Sequence, residues 1–280
     1  MAAEMRSRPK ILLLGDSLTQ LGWDGWAGQL ANVYQRRADV VNRGMAGYNT
    51  NWFLRYAKES DVWQQDNVKL ITIFFGANDA SDAKLNPRHH VSIEDFKQNL
   101  ETLIGLCEDN YGKDVGILIV TAPPVVHHKR LAFQKERFGD KATGELERNM
   151  ELSQQYAQAA LDVAQKCNRP SVHLWKLMQE SQDWESLFND GLHFTSEGNQ
   201  FVAKAVLEQI EASYPQLAVQ ACSVTQQWGN SASVCEELLQ DGPYHDEIDH
   251  TNHDKAFEDH RSKQQKEVWN DEQEVESSLR

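Results

Sequence analysis

An α/β fold with a five-stranded parallel sheet is what this sequence predicts, and three observations predict it. Short apolar runs recur at wide intervals: Ile11–Leu14, Val40–Val41, Leu70–Phe75, Gly116–Val120 and, more weakly, Val172–Leu174. The stretches between them carry apolar residues at helical spacing, so the chain has a βαβ rhythm. The run Leu70-Ile71-Thr72-Ile73-Phe74-Phe75 is apolar at nearly every position, as a central strand covered by helices on both faces must be.

Each element can be justified in order. The first run, Ile11–Leu14, is too short for a signal-peptide core or a membrane span, and Met1–Lys10 before it is polar, so the cytoplasm is the expected compartment, with no integral membrane association. Trp26, Leu30, Val33 and Tyr34 then fall at helical spacing and mark the stripe that packs on the sheet. After the Val40–Val41 and Leu70–Phe75 strands, Ser92-x-x-Asp95 is a helix start signal, followed by Phe96, Leu100, Leu103, Ile104 and Cys107 on one face. A last amphipathic helix begins near Thr195 and carries Val202, Ala205, Val206 and Ile210 toward Pro215. The expected organisation is one domain over 1–215 and an acidic extension over 216–280, irregular or partly docked.

The extension is a separate compositional problem. Residues 241–280 hold 12 acidic and five basic side chains, so half of the net charge of −14 lies in the last seventh of the chain. Such a balance disfavours nucleic acid as a partner. Phe257, Trp269 and the Asp241-Gly242-Pro243-Tyr244 turn offer a few apolar anchors, which would dock beside a pocket or against a second subunit, and this keeps a homodimer open. His245, His250, His253 and His260 lie among carboxylates without metal-ligand spacing and read as solvated. Cys107, Cys167, Cys222 and Cys235 form no CxxC pair and read as reduced thiols, with a Cys222–Cys235 bridge as the alternative.

Ligands of open parallel sheets bind at the carboxyl ends of the strands, so the residues just past each apolar run are where chemistry is expected. Past the first strand stands Gly15-Asp16-Ser17-Leu18-Thr19-Gln20, which would present the Ser17 hydroxyl on a sharp turn, although Ser17 could equally cap a helix. Past the second and third strands come Asn42-Arg43-Gly44-Met45-Ala46-Gly47-Tyr48-Asn49-Thr50 and Gly76-Ala77-Asn78-Asp79. An acyl-transfer site needs donors aimed at a developing oxyanion; Ser17 and Gly47 can offer backbone N–H groups and Asn78 its side-chain amide. Far along the chain, Asp190-Gly191-Leu192-His193 sets a carboxylate and an imidazole close together before a helix. There Asp190 would fix the imidazole tautomer and His193 would take the Ser17 proton.

These four blocks, in this order, resemble the SGNH (GDSL) hydrolase family over roughly residues 10–215, and within it the group of isoamyl acetate-hydrolysing esterases. The nearer likeness rests on Gly15–Gln20, Arg43–Thr50, Gly76-Ala77-Asn78-Asp79-Ala80 and Asp190-Gly191-Leu192-His193-Phe194 followed by Gly198-Asn199. The resemblance implies a three-layer α/β/α sandwich with a flavodoxin-like sheet and a serine esterase acting on short-chain esters such as acetates. It implies Ser17, Asp190 and His193 as the catalytic triad and Ser17, Gly47 and Asn78 as the oxyanion hole, with no metal or organic cofactor. Leu18, Trp23 and Phe194 are expected to line the acyl or alcohol pocket. The same apparatus would serve a thioesterase, a lysophospholipase or a sugar deacetylase. A non-catalytic scaffold acting through the acidic tail is the reading from another class; intact Ser17, Asn78 and His193 speak against it. The Gly-x-Ser-x-Gly elbow of α/β-hydrolases is missing, as are a P-loop and a dinucleotide fingerprint.

Overall fold

A computed structural model describes residues 7–219, 242, 248, 251–252 and 254–262. The five strands are β1 (Lys10–Gly15), β2 (Asp39–Gly44), β3 (Val68–Phe74), β4 (Gly116–Val120) and β5 (Ser171–Val172). All pair in parallel, in the order β2-β1-β3-β4-β5. The chain therefore winds one way from β1 to β2 and the other way from β3 onward. The crevice between the carboxyl ends of β1 and β3 is the switch point at which such sheets bind ligands.

Helices cover both faces because the strands are apolar on both. Successive side chains of β1 point to opposite sides. Ile11 and Leu13 pack with Trp26 and Leu30 of α2 (Trp26–Val33) and with Val202, Val206 and Ile210 of α8 (Ser196–Ser213). Leu12 and Leu14 pack with Phe53 of α3 (Thr50–Ala57), Leu100 and Leu103 of α4 (Ile93–Tyr111) and Val163 of α6 (Met150–Lys166). Each such side chain contributes roughly 1.5–3 kcal/mol by leaving water, so two apolar slabs clamp the sheet into a three-layer α/β/α sandwich.

The start signals act as expected: Ser92 accepts from Asp95 N at the head of α4, and Thr195 accepts from Gly198 N at the head of α8. Two strand boundaries differ from the sequence reading. Val40–Val41 lengthens to Asp39–Gly44 because the β1 ladder recruits the polar Asn42 and Arg43. Leu174 opens α7 (Leu174–Gln179) instead of ending a strand, and it packs in the core from there.

The core continues slightly past Pro215. Leu217 and Val219 are buried in the α2–α8 slab, and Tyr34 Oη donates to Leu217 O at 2.8 Å. Farther on, Arg36 Nη2 donates to Gly242 O at 2.9 Å, and Phe257 lies exposed in a helical stretch over 254–262. Cys222, Cys235, His245, His250, His253 and Trp269 fall outside the described residues. Among the described residues no helix is long and apolar enough to cross a membrane, and Cys107 and Cys167 are free thiols.

Candidate active site

Ser17 stands where β1 gives way to the one-turn helix α1 (Ser17–Gln20). The cap of that turn is Asp16, whose Oδ1 accepts from Leu18 N at 2.9 Å; Ser17 is the first helical residue, which frees its hydroxyl from capping. Trp26 Nε1 holds the turn from below by donating to Leu18 O at 2.8 Å, and Met45 N donates to Gly15 O at 2.9 Å, tying the β2 loop to the same turn.

The imidazole arrives from 176 residues away: Ser17 Oγ lies 3.0 Å from His193 Nε2. His193 Nδ1 lies 2.8 Å from Asp190 Oδ2, while Oδ1 of the same carboxylate accepts from the backbone N–H groups of Leu192 (2.9 Å) and His193 (2.7 Å). Burial pushes the Asp190 carboxyl up, but the bonds from the His193 side chain and from these N–H groups outweigh it and hold Asp190 well below the usual carboxylate range. Only glycine fits between the two partners. Gly191 has φ +84°, and a Cβ there would come within 2.4 Å of Val126 O and 2.6 Å of Arg130 N.

Asn78 follows β3 and faces the same crevice. Its Nδ2 donates to Tyr48 O at 2.9 Å and lies 3.4 Å from Asp16 Oδ2, while its Oδ1 accepts from Arg148 Nη2 at 2.9 Å. The guanidinium thus fixes the amide with its oxygen toward Arg148 and its N–H₂ end toward Tyr48 O and Asp16. Gly47 lines the same cleft with φ +79°, and a Cβ there would meet nothing within 4 Å, so backbone conformation and not crowding calls for glycine.

Beneath these groups runs a polar chain that sequence reasoning missed. Arg148 Nη1 pairs with Glu147 Oε1 at 2.9 Å, Arg130 Nη2 pairs with the same oxygen at 2.7 Å, and Arg130 Nη1 reaches Asp190 Oδ2 at 3.4 Å. Arg148 Nε also donates to Ala77 O at 2.9 Å. Arg130 comes from α5 (His127–Phe138) and Arg148 from the loop before α6, so no local motif flags them. Burial and then the neighbouring Arg130 push the Arg148 pKa down, against the pull of Glu147.

Two buried carboxyls flank Asn78. Burial drives Asp16 up to about 7, opposed by the Leu18 N–H, and drives Asp79 up to about 6, opposed by the Thr50 hydroxyl and N–H. Asp79 Oδ1 accepts from Thr50 N at 2.9 Å at the N-terminus of α3, where a negative charge is favoured. Its Oδ2 has no partner among the described residues.

The cleft of about 790 Å³ is lined by Ser17, Gly47, Asn78 and His193 together. The three residues expected to line a pocket are placed elsewhere. Leu18 is buried in the α2–α8 slab, since one step along a helical turn rotates it away from Ser17. Phe194 is buried against Phe188 (ring centroids 5.6 Å apart), because it follows His193 in an extended bridge and so points to the other side. Trp23 borders a different cavity, between α2 and α8. The apolar wall comes instead from Leu21, Leu85, Phe133, Phe138 and Leu192. Leu21 stands four residues from Ser17, a spacing that would have found it. Among the described residues no group of three or more His, Cys, Asp or Glu side chains is placed to hold a metal ion.

A parallel sheet with a Ser–His–Asp chain at its carboxyl edge defines a class, the serine-dependent acyl hydrolases. Residues 11–206 match the model of the GDSL-like lipase/acylhydrolase family, and the chain belongs to that family. It is 34% identical over 257 residues to a GDSL esterase/lipase of Arabidopsis thaliana, covering 90% of this chain and 98% of that one. It is 33% identical over 212 residues to the human isoamyl acetate-hydrolyzing esterase 1 homolog, covering 72% and 82% of the two chains. In structure it is similar to a lipase/acylhydrolase from Enterococcus faecalis, with a TM-score of 0.57 at 24% identity over 74% of this chain and 96% of that one, a likeness of fold. The chain is a carboxylic ester hydrolase with the fold of the GDSL enzymes.

Proposed function

We propose that this protein hydrolyses small carboxylic esters by two-step acyl transfer, with Ser17 as nucleophile, His193 as base and Asp190 as its orienting partner. The observation that carries the reading is the unbroken chain Ser17 Oγ, His193 Nε2, His193 Nδ1, Asp190 Oδ2, with contacts of 3.0 and 2.8 Å. His193 takes the Ser17 proton as Oγ attacks the carbonyl carbon. The oxyanion is held by the N–H groups of Ser17 and Gly47 and by Asn78 Nδ2, whose long contact to Asp16 gives way to it. The imidazolium then protonates the departing alkoxide. Water, deprotonated by His193, attacks the acyl-serine, the acid leaves, and Ser17 regains its proton. The chain's own side chains supply every proton transfer in this sequence.

The substrate class is drawn from the human relative, whose name describes isoamyl acetate hydrolysis. Thioesters, lysophospholipids and sugar acetates present the same carbonyl, and a panel of esters varied in acyl and alcohol length separates them. Ser17→Ala should abolish p-nitrophenyl acetate hydrolysis with the fold intact, and an organophosphonate should label Ser17 stoichiometrically. Full activity in folded Ser17→Ala would refute the assignment.

We place the protein in the cytoplasm, supported by the free thiols of Cys107 and Cys167 and open to test by cell fractionation. Residues 216–280 are read as an extension docked in part on the 1–215 body, supported by the Arg36–Gly242 bond and by the Arabidopsis relative, whose 90% coverage runs past residue 215. Limited proteolysis with measurement of solution mass tests docking and the homodimer together.

A further inference from the structure

Charge in the cleft runs against the charge of the chain. The protein carries −14, yet the ionisable cleft residues apart from histidine are Arg88, Arg130, Arg137, Lys141 and Arg148 against Glu145 and Glu147. Deep in the cleft the signs balance, since Arg130 and Arg148 share Glu147 and Arg130 also reaches Asp190. The surplus lies at the exposed rim, where Arg88, Arg137 and Lys141 outnumber Glu145 and none of the three cations forms an ion pair with a carboxylate among the described residues.

Aromatic rings hold two of these cations in place. Arg88 lies over the Trp52 ring at 5.6 Å, and Arg137 over Phe133 and Phe138, each at 5.8 Å. A guanidinium laid on a ring keeps its in-plane N–H donors free for an oxyanion. Between the cations the rim is apolar: Leu21, Leu85 and Phe138 all line the cleft and are 58%, 41% and 52% exposed. Exposed apolar side chains gathered at one cleft mark a binding surface. An apolar wall interleaved with unpaired cations suits a ligand that is both apolar and anionic.

We propose that the ester this cleft selects carries an anionic group, a carboxylate or phosphate, on an otherwise apolar scaffold, and that Arg88, Arg137 and Lys141 bind the anion. This rests on the ester-hydrolase reading above for where the carbonyl sits. The anion lies beyond the reacting atoms, on the acyl or the alcohol side.

The test compares matched pairs: p-nitrophenyl butyrate with mono-p-nitrophenyl glutarate for the acyl side, and phenyl acetate with 4-acetoxybenzoate for the alcohol side. On one side at least, kcat/KM should favour the anionic member roughly fivefold or more at low salt, shrinking as salt rises. In the combined variant Arg88→Gln, Arg137→Gln, Lys141→Gln the anionic-to-neutral ratio should fall about tenfold, with Tm compared to show folding. A binding arm does not depend on turnover: Ser17→Ala titrated with hexyl phosphate and with hexanol should bind the phosphate more tightly, and the triple variant built on it should lose the difference. Equal treatment of charged and neutral partners in both arms overturns the proposal. So does binding to phosphatidylglycerol-containing vesicles without preference for hexyl phosphate, which would make the rim a membrane contact. Failure of the ester-hydrolase reading shows differently, as absence of Ser17-dependent turnover on every ester while the binding arm still reports on the anion.

Discussion

The two halves of the active site are held by opposite means. Asp190 and His193 lie three residues apart in one loop, and their carboxylate is satisfied by that loop's own N–H groups. Asn78 is held by residues from three other places, Asp16, Tyr48 and Arg148, none of them near it in sequence. The Asp190–His193 pair is a local motif set down whole, to which only Ser17 must be brought from afar, whereas the setting of Asn78 exists only when distant segments converge. The local pair leans on few distant residues, chiefly Arg130. A convergent setting passes on every disturbance of its supports.

The largest effect is expected in the local half. In Asp190→Asn the amide oxygen can keep the Leu192 and His193 N–H bonds, which leaves N–H₂ facing His193 Nδ1 and forces the wrong tautomer. kcat should fall about 10⁴-fold with circular dichroism unchanged. A fall below tenfold would show that the local carboxylate is dispensable.

Next comes Asn78→Ala, expected to lower kcat by about a hundred- to a thousandfold, on the order of 3 kcal/mol, with KM nearly unchanged. A rise in KM alone would make Asn78 a ground-state contact. The support behind it should matter less. Arg148→Met leaves Asn78 Oδ1 without its donor and lets the amide turn, for a loss of about tenfold in kcat, and Arg148→Lys should recover only part, because an ammonium cannot reach Ala77, Asn78 and Glu147 at once. A variant that lost stability but kept kcat would reduce Arg148 to a packing role.

A last effect, on stability and not on rate, sharpens the comparison through pH. Asp16 is raised from an ordinary carboxyl value to about 7, chiefly by burial. A raised acid contributes its full stability below its unfolded pKa and loses it as pH climbs through the folded value, here between about 4 and 7, at a slope of up to roughly 1.4 kcal/mol per pH unit. Asp16→Asn lacks this loss. Its stability relative to the unsubstituted protein, from urea denaturation, should therefore improve as pH rises through that window. A difference independent of pH would mean that Asp16 does not titrate there.

The legible parts of the site share one feature: each is a short block read within a few residues. Ser17 on its turn, Asn78 past β3 and the Asp190–His193 pair were placed by strand ends and by family resemblance. Pocket lining was not legible. Leu18 and Phe194 adjoin Ser17 and His193 in sequence, but helical rotation and strand alternation send an adjacent side chain away from its neighbour. Arg130, Glu147 and Arg148 gave no signal, since charged residues in helices and loops are ordinarily solvated and nothing local says that these are buried.

What the sequence determined by itself is the periodic part of the protein: the βαβ rhythm, the doubly apolar strands, the caps at Ser92 and Thr195, and the short blocks at the strand ends. Period and capping are properties of a few neighbouring residues, so they are written where they act. Tertiary structure alone decided which of those blocks meet, which residues line the cleft, and that Arg130 and Arg148 bridge its two halves through Glu147. Contacts such as the 3.0 Å approach of Ser17 to His193 join residues 176 positions apart. They depend on how two apolar slabs close on the sheet, a global packing outcome that no local window of sequence contains.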